Sequence, residues 1–173
     1  MTDPVSDPHR TPDAEANAQA RAILATARDA VLSVLDSRGW PMVSRIALQV
    51  DAGGQPLAML SDLALHTAAL RADPRAALLV DAPATEGQRG MSLTRARLSL
   101  QVEAHPVSPA EDEALRRAWL ARDPKAQVYA RLADFRLWRM RPRGGLLNAG
   151  FGRAYRLSAA DLGFGRHDER PGD

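Results

Sequence analysis

The stretch LSDLALHTAALRADPR, residues 60–75, combines the end of an apolar strand pattern with the signals of a short helix. The apolar run stops at Ser61, a residue type that caps helices, and the helical pattern stops before the pair Asp73-Pro74. These signals predict a helix of about two turns that begins after Ser61. The free N–H groups and positive dipole end of such a helix attract an anion.

Strand patterns precede and follow this helix. Apolar residues that alternate or run continuously, bounded by glycine, proline and polar turn residues, mark them. The segments are AVLSVLD (30–36), PMVSRIALQVD (41–51), PLAMLS (56–61), RAALLVDA (75–82), LTRARLSLQVEAHPV (93–107), DFRLWRMRP (134–142) and GLLNAGFGRAYRL (145–157). Strands joined mostly by hairpins, with helices outside them, predict a mainly β (α+β) domain built on an antiparallel barrel of about six strands.

Further helices are predicted outside the barrel. Thr11 or Asp13 caps the first, whose small apolar residues recur on one face. In SPAE, Ser108 is the expected N-cap of the second and Glu111 its partner in a capping box. A third helix is predicted in RDPKAQVYARL, residues 122–132.

Length and composition exclude several classes of protein. A chain of 173 residues, 45% of them hydrophobic, is expected to bury one core in one domain. It has no apolar run of the ~18 residues that a membrane span needs, and its first residues do not resemble a signal peptide, so we expect a cytoplasmic protein without membrane association. The absence of cysteine excludes disulfides, thiolate metal sites and cysteine nucleophiles.

The charge pattern does not favour nucleic-acid binding. The formal net charge is +2, and every basic residue except Lys125 is arginine, a skew more typical of a biased genome than of a binding surface. Basic residues are interleaved with acidic ones, and aromatic residues make up only 5% of the chain, which is poor material for base stacking. We therefore expect no nucleic-acid partner.

The order of these segments resembles one known superfamily. The run from GWPMVSRIALQV to RAALLV, then RARLSLQVEAHPV, DFRLWRMRP and NAGFGRAYRL, is similar to the pyridoxamine 5′-phosphate oxidase-like FMN-binding split barrels, and most similar to their haem-utilisation branch. The resemblance covers residues 18–162. Its most specific part is LSDLALHTAALRADPRAALLV.

The resemblance implies a homodimer that binds FMN, since in this superfamily the cofactor lies in a cleft between two barrels. A flavin phosphate needs cationic or backbone N–H partners, which an arginine and a helix start can supply. The implied cofactor-binding residues are Arg45, Ile46, Ala47 and Leu48 along the isoalloxazine and ribityl side, and Ser61, His66 and Thr67 beside the phosphate.

The chain also departs from the oxidases in this superfamily. Where they carry an adjacent Arg-Lys pair, it has His66-Thr67, which is mostly neutral at pH 7 because imidazole titrates near ~6.5. The Trp and Arg motifs that close those oxidases over pyridoxine phosphate are absent, so we do not expect synthesis of pyridoxal phosphate. His-Thr is what haem-utilisation relatives carry, and there a C-terminal histidine ligates haem. The resemblance thus offers His167 as a haem ligand and Asp134 as the acceptor of its other ring N–H.

Three functional hypotheses follow. The first is an FMN-binding flavoprotein, an oxidoreductase acting on an unidentified small-molecule substrate, with no catalytic residue assigned and no metal site. The second is a haem-binding protein of haem utilisation or degradation, and the third is a barrel without cofactor that serves as a binding or scaffold module. The expected division of the chain is a disordered tail (1–11), a single split-barrel domain (12–162) and a flexible tail (163–173).

Each candidate residue also has a purely structural interpretation. Arg45 can be a solvated strand residue and Ser61 a helix cap. His66 can be a packing residue, and His167 part of a flexible tail.

Overall fold

The structure is a computed structural model that describes residues 9–83, 94–150 and 152–165. Its helices and strands, in chain order, are α1 (Ala14–Thr26), β1 (Asp29–Leu35), β2 (Pro41–Val50), β3 (Pro56–Ser61), α2 (Leu65–Ala72), β4 (Arg75–Asp81), β5 (Arg97–Pro106), α3 (Pro109–Arg122), a 3-10 turn (Pro124–Ala126), α4 (Gln127–Ala130), β6 (Phe135–Asn148) and β7 (Ala154–Ser158). None of the described helices is both long enough and apolar enough to cross a membrane.

The strands form one antiparallel sheet that closes into a barrel. Its order is β3-β2-β1-β4-β5-β6-β7, and an additional pairing of β3 with β6 closes the circle. Strands β1 to β6 are therefore the barrel wall, and β7 extends the sheet from β6. This confirms the predicted six-stranded antiparallel split barrel with flanking helices.

β6 has two partners on the same edge. Its first residues pair with β3, from Leu57↔Arg139 to Ser61↔Phe135, and its last residues pair with β7. Between the two, the side chain of Gln55 donates to the carbonyl of Met140 (3.1 Å). The sheet therefore splits along β6.

The sequence predicted one strand over 134–142 and another over 145–157, whereas the structure has one long β6 that ends at Asn148 and a separate β7 that begins at Ala154. The register against β5 shifts between Gln101 and Val102, so a bulge accommodates the prolyl and glycyl residues of the segment. Gly145 is needed there, because a Cβ at this position would lie 2.3 Å from the carbonyl oxygen of Ser99. Only glycine at position 145 lets the backbones of β5 and β6 approach this closely, so β6 continues past the bulge.

Two hydrophobic clusters stabilise the domain. The larger fills the barrel with side chains such as Leu32, Leu48 and Trp138, and it includes the buried face of α1 that the sequence predicted. The smaller cluster lies outside the barrel, where Trp119 of α3 packs against Met59 and other residues of β3 and β6. Burial of a large apolar side chain contributes about 1.5–3 kcal/mol, so α3 and α4 are held on this outer face mainly by such contacts.

Helix starts agree with the sequence only in part. Asp13 is the N-cap of α1 and accepts from the backbone N–H of Ala16 (2.8 Å). Ser108 precedes α3 as predicted, but its hydroxyl donates to the Glu111 carboxylate (2.7 Å) and accepts no backbone N–H. The third predicted helix is shorter than expected, a 3-10 turn followed by α4.

The helix expected to begin after Ser61 begins later. Ser61 is the last residue of β3, paired with Phe135, and α2 starts at Leu65 with Ala64 as its N-cap. The prediction of Ser61 as a helix cap is therefore wrong. The physical reason is that strand pairing with β6 extends through Ser61, and its hydroxyl instead accepts from the N–H of Leu63 (3.1 Å) in the turn before the helix.

The predicted tails lie mostly outside the described residues, which begin at His9 and end at Gly165. Within the predicted N-terminal tail, Arg10 forms a parallel bridge with Tyr155, and its N–H donates to the carbonyl of Ala154 (2.9 Å).

Candidate ligand-binding site at the end of strand β3

The end of β3 is joined to the residues before β6 by two hydrogen bonds. The Ser61 hydroxyl donates to Oδ2 of Asp134 (2.5 Å), and the backbone N–H of Asp62 donates to the carbonyl of Asp134 (2.7 Å). The carboxylate and the backbone carbonyl of Asp134 thus both fix the point at which the barrel closes.

Asp62 forms two ion pairs at this end of the barrel. It pairs with Arg71 of α2 (2.5 Å) and with Arg136 of β6 (2.8 Å). Partial burial acts to raise its carboxyl pKa, but the hydrogen bonds and charges of Arg136 and Arg71 outweigh this and lower the pKa. Asp62 is therefore ionised at neutral pH and neutralises charge on both arginines.

His66 lies one residue into α2 and faces β2. Its Nδ1 is 3.2 Å from the hydroxyl oxygen of Ser44, which identifies Ser44 as a site residue that the sequence did not indicate. Partial burial lowers the pKa of the His66 imidazole, since it disfavours the charged ring. The ring is therefore neutral at pH 7, and it is a poor partner for a phosphate.

Thr67 is fully buried, and its hydroxyl donates to the carbonyl of Ser61 (2.7 Å). The bond ties the first turn of α2 to the end of β3. Because its hydroxyl is used and its side chain is inaccessible, Thr67 positions the site and does not present a group to a ligand.

The four candidate residues of β2 divide between the two faces of the strand. Ile46 and Leu48 point into the barrel core, so only their backbone can reach a ligand outside it. Ala47 packs against the smaller cluster under α3. Arg45 is exposed and forms an ion pair with Asp29 of β1.

Arg45 and Ser61 lie on the same face of the barrel. The β2–β3 register pairs Ala47 with Met59, and its continuation by two residues places Arg45 opposite Ser61. The prediction that both residues contact one ligand stays a prediction. However, Arg45, Arg71 and Arg136 each have a carboxylate partner, so the described residues do not form a cationic cradle for a phosphate.

Three exposed leucines, named here the apolar rim, flank Ser61 and Asp134 along the chain: Leu63, Leu65 and Leu132. The exposed fraction is 84% for Leu63, 76% for Leu65 and 50% for Leu132. The sequence offered a signal that was missed: Leu63 and Leu65 lie in the turn and first helical position, off the face of α2 that buries Thr67 and Leu70. Such exposed leucines beside polar groups suit a flat, largely apolar ligand.

The sequence also predicted His167 as a haem ligand. His167 lies outside the described residues. Within the described ranges, no group of three or more His, Asp or Glu side chains is arranged to hold a metal ion.

Comparison with known proteins relates this barrel to proteins named for haem. The chain is 35% identical over 105 residues to "Non-canonical heme oxygenase HOZ, chloroplastic" from Arabidopsis thaliana; the match covers 61% of this chain but only 30% of that protein. A solved heme binding protein from Mycobacterium smegmatis is 29% identical, with a TM-score of 0.75 over 88% of this chain and 61% of that one.

The fold itself recurs more widely. A structure described as a pyridoxamine 5′-phosphate oxidase from Listeria innocua superposes with a TM-score of 0.59 at 16% identity, over 78% of this chain and 98% of that one. At this identity the comparison shows a shared fold alone, which confirms the split-barrel resemblance. The family model described as "CREG, beta-barrel" matches residues 11–161. Since that match spans nearly all of the chain, the protein belongs to the CREG β-barrel family.

Proposed function

We propose that this protein binds haem at the end of the barrel formed by β3, α2 and the residues before β6, as a haem-binding or haem-degrading protein. The observation that carries the proposal is that the relatives similar at 35% and 29% identity are named for haem. The chain covers less than two thirds of either relative, so the activity of those whole proteins comes to this chain only as part of the proposal.

The residues at the site support haem over FMN. The polar groups first expected at a flavin phosphate are used within the protein: Thr67 bonds Ser61, Ser61 bonds Asp134, and Arg45 pairs with Asp29. The apolar rim, in contrast, offers surface for a porphyrin face.

The chain's own residues have distinct roles in this proposal. Bound haem would supply an iron centre for oxygen chemistry. His167 is proposed as the iron ligand and Oδ1 of Asp134 as the acceptor of its second ring N–H, which would orient the imidazole and raise its basicity. Ser61 holds the Asp134 carboxylate in place through Oδ2. The apolar rim would exclude water from one face of the ligand.

We further propose that the protein is a homodimer. An apolar sheet face, defined here as Leu35, Val43 and Leu79 on β1, β2 and β4, is exposed on the outside of the barrel, with Trp40 (69% exposed) at its edge. The strands that carry it are adjacent in the sheet. Exposed apolar side chains on neighbouring strands are typical of a surface that a second copy covers.

A haem titration followed by absorbance tests the proposed ligand. Wild type should develop a Soret band at one haem per chain, and His167→Ala should abolish or reshape that band. Asp134→Ala should weaken haem binding while leaving the protein folded. His105→Ala is the matched control, because His105 lies beside Glu103 on the outer face of β5, away from the site, and should leave the band unchanged.

A parallel FMN titration separates the two cofactors. If Arg45 held a flavin phosphate, Arg45→Ala should weaken FMN binding by roughly 1.5 to 3 kcal/mol, the range for a hydrogen bond to a charged group. Tight FMN binding that depends on Arg45, together with no Soret band on adding haem, would overturn the haem proposal in favour of the flavin.

A further inference from the structure

A serine and a histidine come into contact where α2 packs on β2. The hydroxyl oxygen of Ser44 lies 3.2 Å from Nδ1 of His66, and both side chains are half-buried. Serine hydroxyls elsewhere in the barrel donate to carboxylates, as those of Ser61, Ser108 and Ser158 do. A carboxylate is a weak base at neutral pH, whereas imidazole accepts a proton there. The pair of Ser44 with His66 is therefore chemically different from the other serine contacts.

The direction of this hydrogen bond follows from the other partners of each group. In residues 9–83, 94–150 and 152–165, the Ser44 hydroxyl has no second acceptor, so the Nδ1 lone pair is the one available to its proton. Nε2 of His66 has no partner in the same ranges, and it is not one of the fully buried polar atoms that lack a partner, so it is accessible to solvent. We therefore assign the ring proton to Nε2 and the acceptor role to Nδ1.

Two backbone donors lie in the helical turn that carries His66. α2 begins at Leu65, and in the part of the chain that the structure describes the N–H groups of Leu65 and His66 have no backbone acceptor, whereas that of Thr67 donates to the carbonyl of Ala64 (3.0 Å). Free N–H groups and the positive end of the helix dipole favour negative charge on a nearby oxygen. A hydroxyl, a base and two such donors thus occur together at the first turn of α2.

We propose that Ser44 and His66 form a catalytic pair that hydrolyses small carboxylic esters through an acyl-serine. Oγ of Ser44 attacks the ester carbonyl while its proton passes to Nδ1 of His66, and the N–H groups of Leu65 and His66 hold the carbonyl oxygen as it becomes negative. The alkoxide leaves with the proton from Nδ1 as a free alcohol. Water then attacks the acyl-Ser44 ester, its proton passes through Nδ1 to Oγ of Ser44, and the carboxylic acid is released. The proposal does not rest on haem binding.

The pair is simpler than a catalytic triad. In a triad a carboxylate orients the histidine through its second nitrogen, whereas the described residues place no such partner at Nε2 of His66. A positioned general base still contributes about 10²–10⁴-fold. We therefore expect slow hydrolysis, which is detected most directly as a covalent adduct on Ser44.

A fluorophosphonate probe tests the nucleophile, because it forms a covalent bond with activated serine hydroxyls. Peptide mapping by mass spectrometry should find the adduct on Ser44 of wild type, and Ser44→Ala should not be labelled. Ser33→Ala is the matched control, since Ser33 is a half-buried residue on the neighbouring strand β1, and this variant should be labelled as wild type is. Absence of an adduct on Ser44, or equal labelling of Ser33, would overturn the proposal.

His66→Gln tests the base. It should slow labelling of Ser44 by about 100-fold or more, the lower end of the contribution of a general base. His105→Gln is the matched control, since His105 lies beside Glu103 on β5, and it should be labelled at the wild-type rate. An unchanged labelling rate in a folded His66→Gln protein contradicts the role of His66.

Wild type alone permits a second measurement, which does not depend on the folding of a variant. With 4-nitrophenyl acetate it should release a burst of one 4-nitrophenolate per chain and gain one acetyl group on Ser44. Lys125, the single lysine of the chain, and the histidines are the other groups that this ester acetylates. An acetyl group found on one of them and not on Ser44 would overturn the proposal.

Discussion

At the residue scale, the partial burial of His66 makes the stability of the fold depend on the protonation of its imidazole. Because the folded-state pKa of its imidazole is lowered, the unfolded chain binds more protons than the native protein as pH falls below ~6.5. The free energy of unfolding should therefore decrease from this group as pH falls through that value, and level off below the lowered native pKa.

The expected result is a smaller loss of stability on acidification in His66→Gln than in wild type. Urea unfolding at about pH 7 and about pH 5 measures this difference, since other titrating groups are common to both proteins. If wild type and His66→Gln lose the same stability over this interval, burial does not lower the pKa of the His66 imidazole.

Residue roles at the site were only partly readable from the sequence. Ser61 and Thr67, which are close along the chain, are joined by a hydrogen bond. The sequence did not indicate Ser44, since its contact with His66 depends on how α2 folds back onto β2. Nor could it reveal that the Thr67 hydroxyl is buried, because alternation and helical period locate a face but not the partner of a side chain.

At the element scale, β6 depends on a glycine. A methyl group at Gly145 would lie 2.3 Å from the Ser99 carbonyl oxygen and 2.9 Å from the Leu100 side chain, so Gly145→Ala must push β5 and β6 apart. We expect it to destabilise the fold by about 1–3 kcal/mol, the usual cost of overpacking.

Gly165→Ala is the control for this prediction, because nothing lies within 4 Å of a Cβ at that position. Thermal or urea unfolding should show little change for the control, within about 0.5 kcal/mol. Equal stability of the two variants would mean that the close approach of β5 and β6 is relaxed in solution.

Most elements were predictable because their patterns are local. The strands up to β5 lie within a few residues of their predicted bounds, and Asp13 caps α1 as expected. The end of β6 was predicted as part of the next strand, together with β7, because proline and paired glycines usually end a strand. A bulge against β5 overrides that local signal, and a bulge is a property of two strands together, which one segment does not reveal.

At the scale of the whole molecule, the apolar sheet face predicts association. Val43, at its centre, is 67% exposed in the single chain. If a second copy covers it, Val43→Arg should shift the protein from dimer to monomer, because a buried unpaired charge opposes association.

Sedimentation velocity at micromolar concentration measures this shift. Val128→Arg is the matched control, since Val128 is 79% exposed on α4, outside the apolar sheet face, and should leave the dimer intact. A wild-type protein that sediments as a monomer contradicts the homodimer proposal.

Closure of the barrel between β3 and β6 also determines when the candidate haem site can exist. Ser61 and Asp134 are 73 residues apart in sequence, yet they share a hydrogen bond where β3 meets β6. Contacts of such separation form late, because the entropy of closing the intervening loop must be overcome first. On the ribosome, β1 to β3 emerge long before the residues that precede β6. If the proposed site is correct, a nascent chain would lack it until β6 has left the exit tunnel, and only a chain completed beyond that strand would bind the ligand there.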